Sequence, residues 1–162
     1  MNAFKTIAIS IMLVMGPTSI SVARAGSAAE KPAFISVEAS KLKWVDAPSV
    51  GPGAKIALIE GDLKAAEPFT FRLKLPPNLK VGVHTHPTFE RVTIISGSLY
   101  FAIGDKFDTG KAKEYKLGDA FVVPSGMPMY GYTKNQEAVL QIHGTGPWGI
   151  SFLNPADDPK KK

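Results

Sequence analysis

Turn residues interrupt this chain so often that little besides short β-strands can form between them. From about Lys31 onward the punctuation is Gly51-Pro52-Gly53, Pro76-Pro77-Asn78, Ser96-Gly97, Gly104-Asp105, Gly118-Asp119 and Pro124-Ser125-Gly126. Each favours a tight reversal over a helix. The intervening segments, residues 34–37, 55–60, 69–75, 81–86, 91–95, 98–103, 114–117, 120–123, 129–133, 138–143 and 149–153, read as strands. In one of them Phe69, Phe71, Leu73 and Leu75 alternate with Thr70, Arg72 and Lys74, the pattern of a strand with a single buried face. No long stretch after residue 25 has helical periodicity, and no internal repeat or second domain is visible. The expected class is therefore all-β, a small antiparallel barrel or sandwich.

Residues 1–25 read as a secretory signal peptide. Lys5 supplies the positive region, residues 7–15 the apolar core, Gly16-Pro17 a helix break and Ala23-Arg24-Ala25 a small-x-small cleavage site. The apolar run is about half of the roughly 20 residues a membrane span needs. The expected mature chain starts at Gly26, is periplasmic or secreted, and has no membrane partner after cleavage. With Lys5 and Arg24 removed, 17 basic residues face 14 acidic ones, a net charge of +3. Three of those are Lys160, Lys161 and Lys162, read as a frayed, solvated tail. The remaining near-neutral surface argues against nucleic acid, which calls for a dense basic patch.

The chain contains no Cys, which excludes disulfide frameworks, thiolate zinc sites, iron–sulfur clusters and cysteine nucleophiles. A metal would have to be held by His, carboxylate or Met. The chain has three His, and two of them fall in Gly82-Val83-His84-Thr85-His86-Pro87-Thr88-Phe89-Glu90. On a strand His84 and His86 project from one face about 6.6 Å apart, near enough for both imidazoles to converge on one ion at about 2.1 Å. Pro87 and Thr88 turn the chain, so Glu90 can return beside them with a carboxylate oxygen. Two neutral donors and one anion suit a borderline divalent cation. No Gly-x-Ser-x-Gly context supports a serine hydrolase, and no glycine-rich phosphate loop opens a helix.

The spacing His84-x-His86, three residues, Glu90, six residues, Gly97, followed after 20 residues by Gly118, five residues, Pro124-x-Gly126, resembles the two motifs of the cupin family over roughly residues 55–143. The resemblance implies a single-domain jelly-roll β-barrel at 26–162, with one divalent metal inside held by His84, His86 and Glu90. Zn, Fe, Mn, Ni and Cu all remain open. It further implies a small-molecule ligand or substrate and pairing into a homodimer. The closing segments 144–150 and 154–159 look like those of small exported bacterial cupins.

Two positions depart from the family pattern. Asn78 stands where the family has glycine, a mild change because Asn tolerates the left-handed turn conformation. Met129 stands at the family's fourth ligand, and Thr133 where the family has Asn. Met129 reads in three ways: a core filler beside a three-ligand face suited to non-haem iron, a soft thioether ligand favouring copper(I), or the mark of a degenerate site. His143, on the segment 138–143 with Val139 and Gln141 on its face, is the remaining imidazole. It reads either as a cavity-facing acid or base, with Gln141 beside it in a second shell, or as a structural His at a strand end. Tyr100, Tyr130, Tyr132, Phe121 and Trp148 read as barrel lining or rim packing, and an inward Met129 would put Tyr130 and Tyr132 outside.

Two function classes stay open. One is an exported metal-binding cupin acting as an oxygenase, isomerase or lyase on a small molecule. The other is a non-catalytic binding or sensor cupin with a structural or degenerate metal site, which Met129 favours.

Overall fold

The alternating segment sets the frame of the molecule. In the computed structural model, which describes residues 34–161, Phe69, Phe71, Leu73 and Leu75 are buried, and Thr70, Arg72 and Lys74 are half-buried on the opposite face. The signal-peptide reading of residues 1–25 lies outside the described residues. The strands in chain order are β1 (Val45–Asp46), β2 (Lys55–Glu60), β3 (Pro68–Leu75), β4 (Lys80–Thr85), β5 (Glu90–Ser96), β6 (Ser98–Ile103), β7 (Lys113–Lys116), β8 (Ala120–Val123), β9 (Met129–Tyr132), β10 (Ala138–Thr145) and β11 (Ser151–Phe152).

They form two antiparallel sheets, ordered β1-β2-β3-β10-β5-β8 and β11-β4-β9-β6-β7. Consecutive strands repeatedly change sheet, as β3 to β4 and β5 to β6 do, which gives the jelly-roll sandwich expected of an all-β chain. The inner faces meet in one apolar core. Phe69, Phe71, Leu73 and Leu75 pack there with Leu140 and Ile142 of β10, Val92 and Ile94 of β5, and Val81 and Leu99 from the other sheet. Each such side chain contributes about 1.5–3 kcal/mol by leaving water. A smaller cluster of Val83, Ala102 and Tyr130 lies on the other face of the five-stranded sheet, packed under Phe107 and Ala112. The Tyr130 hydroxyl donates to the Asp108 carbonyl at 2.8 Å, which ties the 104–112 loop down.

Asn78 takes φ +58°, the left-handed conformation expected where the family carries glycine. Three expectations change. Residues 34–37 form no strand, and Phe34 is 94% exposed. The edge beside β2 is taken instead by the short β1, whose Val45 pairs with Ile56. The segment 149–153 contracts to Ser151–Phe152, which pairs with Thr85 and His84. The described lysines of the tail do not trail off: the Asn154 side chain accepts from the Ala156 N–H and Asp158 Oδ1 from the Lys160 N–H, winding Pro155–Asp157 and Pro159–Lys161 into 3-10 turns.

Candidate functional site

A bulge in β4 aims both histidines inward. Val81 pairs with Gly131 and His84 with Met129, so three steps on β4 match two on β9. The extra residue lets Val81 and His84 face the same side, whereas strict alternation would turn them apart. His86, two residues on, follows His84 inward. Both rings are then buried among the two sheets, 4.9 Å apart between centroids and nearly perpendicular.

Backbone carbonyls fix the tautomer of each ring. His84 Nδ1 lies 2.7 Å from the Gly82 carbonyl and His86 Nδ1 2.5 Å from the Gly149 carbonyl. A carbonyl only accepts, so both Nδ1 atoms carry the proton and both Nε2 atoms keep a lone pair. Burial lowers the His84 pKa to about 4, with neighbouring His86 adding to the effect, and burial likewise lowers His86 to about 4. Both rings are therefore neutral near pH 7, the state in which imidazole binds metal.

Glu90 opens β5 at the same end of the barrel, buried at 4% exposure. Burial raises its carboxyl to about 7, against the lowering effect of Trp148, whose indole N–H donates to Oε1. Glu90 Oε2 sits 3.4 Å from His86 Nε2. Two atoms that can both accept thus face each other, an arrangement that a shared proton, a bridging water or a cation would relieve. Trp148 also stacks on His86 at 5.3 Å and 21°. The expectation that Trp148 lines or closes the barrel holds, but its bond to Glu90 was not anticipated; its indole N–H, the polar handle a buried Trp must satisfy, was the available signal.

His84, His86, Glu90 and Met129 line one cavity of about 60 Å³ whose remaining walls are apolar, including Leu73, Phe121 and Ile142. Met129 is buried and points into it, so Tyr130 and Tyr132 face away, Tyr130 into the outer cluster and Tyr132 stacked on Tyr100. The donor set suits a borderline divalent cation: two imidazole lone pairs and one carboxylate in a water-poor pocket. Among the described residues no three His, Asp or Glu side chains are close enough together to hold an ion as they stand.

His143 and Gln141 do not join this group. In β10 Leu140 and Ile142 are the buried residues, Gln141 is half-buried and His143 exposed. Since Leu140 and Ile142 line the cavity, alternation sends Gln141 and His143 to the outer sheet face, where Arg72 reaches Gln141 Oε1 at 3.5 Å. The cavity-facing reading of His143, with Gln141 as its second-shell neighbour, is corrected accordingly. His143→Ala is expected to leave unfolding free energy within about 0.5 kcal/mol of the parent, measured by urea titration, with metal retention unchanged.

A model of the Cupin family matches residues 63–146, more than half of the chain. The chain belongs to the cupin family. Solved structures similar to this cupin include the polyketide cyclase RemF from Streptomyces resistomycificus, with TM-score 0.65 and 17% identity over 80% of this chain and 92% of that one. The DMSP lyase DddQ from Ruegeria pomeroyi aligns with TM-score 0.58 and 15% identity over 77% and 74% of the two chains. A single-residue mutant of salicylate 1,2-dioxygenase from Pseudoaminobacter salicylatoxidans, in complex with gentisate, aligns with TM-score 0.53 and 16% identity over 65% of this cupin and 31% of that chain. A comparison with curated protein sequences finds no match. At these identities the likeness concerns the fold.

Proposed function

We propose that this cupin, exported through the segment 1–25, transforms a small molecule at a divalent-metal centre held by His84, His86 and Glu90. The observation that carries this reading is the pair of facing acceptors: His86 Nε2 and Glu90 Oε2, 3.4 Å apart, in a cavity that is otherwise apolar. A bound ion would act as a Lewis acid on a substrate oxygen. The protein's own groups do the rest. Burial raises the Glu90 carboxyl and makes its charge costly without a counter-ion, so the carboxylate and a bound cation would stabilise each other, with His84 and His86 as neutral co-ligands through Nε2. The Trp148 indole N–H fixes the carboxylate's orientation, and the Gly149 carbonyl holds the His86 ring in the productive tautomer. The apolar walls exclude water and strengthen each of these interactions. Cyclase, lyase and dioxygenase activities among proteins of similar fold are compatible with small-molecule chemistry of this kind.

A non-catalytic binding role is favoured by one observation, Met129 standing inside the cavity where the family has its fourth ligand. Metal content tests the metal centre itself. Purified without an affinity tag, the chain is expected to carry about one divalent ion per molecule, and the His84→Ala/His86→Ala chain less than half of that. An equally low metal content in both would overturn the metal-centre reading.

A further inference from the structure

The 60 Å³ cavity has room for an ion and a water-sized group or two, so the body of an organic substrate must lie outside it. Trp148 and Ile150 have a second side. They also line an outer cleft of about 650 Å³, within the roughly 300–1,000 Å³ range of small-molecule sites. We propose that this cleft binds a small organic anion with an apolar body. It rests on the reading above only in making that anion the substrate class of the inner site.

Three features of the cleft support this. Its apolar surface comes from Leu63, Trp148, Ile150 and Phe152, and its cationic groups are Lys64, Lys160 and Lys161. None of these lysines is in an ion pair among the described residues. The one acid in the lining, Asp158, is engaged in shaping the terminal turn, accepting from the Lys160 N–H at its side chain and the Lys161 N–H at its carbonyl. Unpaired cations around a concave, partly apolar surface concentrate a positive potential there.

The cleft is also preformed. The Trp148 backbone N–H donates to the Leu63 carbonyl at 2.7 Å, and the Gly146 N–H to the Glu67 carbonyl at 2.9 Å, so the 62–67 loop and the Trp148 segment form one fixed wall. The same segment reaches the inner group through Trp148 on Glu90 and Gly149 on His86. An anion seated against Trp148 is thus one side chain away from the cavity.

Phenylacetate is a suitable probe and 2-phenylethanol its uncharged counterpart. This cupin has two Trp residues, so its indole N–H resonances report on Trp44 and Trp148. Phenylacetate is expected to shift the Trp148 indole and Gly149 amide signals of the full chain in a saturable way. The alcohol should bind about tenfold more weakly, as should phenylacetate to Lys64→Ala/Lys160→Ala/Lys161→Ala, a difference of about 1.4 kcal/mol. Equal affinity for the alcohol or an unaffected triple-lysine variant would each overturn the cleft site. A native chain without metal would overturn only the metal-centre reading.

Discussion

Gly97→Ala is expected to destabilise this cupin by roughly 3 kcal/mol, lowering Tm by about 10 °C. Gly97 is the single residue between β5 in one sheet and β6 in the other, and it holds φ +69°. An L-residue in that conformation costs about 1–2 kcal/mol. The larger part is steric: a Cβ there would lie 2.0 Å from the Glu137 carbonyl oxygen and 3.0 Å from the Ala138 Cα. These are backbone atoms at the start of β10, a central strand, so no rotamer change relieves the overlap. Gly118 is the control. Its φ is +87°, but no atom lies within 4 Å of where its Cβ would be, so Gly118→Ala should cost only about 1 kcal/mol. Thermal and urea melts of both variants measure the difference. Equal losses would mean that the Gly97 position matters through conformation alone and that β10 can move aside.

That glycine also illustrates how much of the structure the sequence makes legible. Turn residues and the alternation of 69–75 identify strands because they act locally, on φ and on which face meets water. The motif spacing from His84 to Gly97 identifies the family for a similar reason: a turn and a sheet crossing must follow one another at fixed offsets. What sequence spacing does not carry is the bulge itself. His84 and His86 share a face on any strand, but whether that face also bears Val81 depends on three residues of β4 opposing two of β9. The partners of Trp148 were not legible because Glu90 and His86 lie some 60 residues away. The cavity-facing reading of His143 fails on a simpler point. The alternation that sets it apart from Leu140 and Ile142 is readable, but which of the two faces turns inward depends on how β10 docks between β3 and β5.

Met129→His is expected to lengthen metal retention against a chelator by about a hundredfold, equivalent to about 2.7 kcal/mol. Met129 is 3% exposed, sits opposite His84 in the β4–β9 register and lines the same cavity. An imidazole there would be desolvated much as His84 and His86 are, and so would stay neutral with a lone pair to give. The substitution has a cost without metal. A buried imidazole lacking a partner loses about 1–3 kcal/mol relative to the thioether, which asks for no hydrogen bond. The metal-free variant should therefore melt below the metal-free parent, and added Zn²⁺ should raise its Tm by more than it raises the parent's, since binding to the folded state alone stabilises it by mass action. The opposite signs of these two shifts distinguish a new ligand from a merely tolerated core change. If the variant melts lower with and without Zn²⁺ by the same amount, and the chelator strips both proteins at one rate, then position 129 fills space beside the histidines and the centre is complete, or absent, without it.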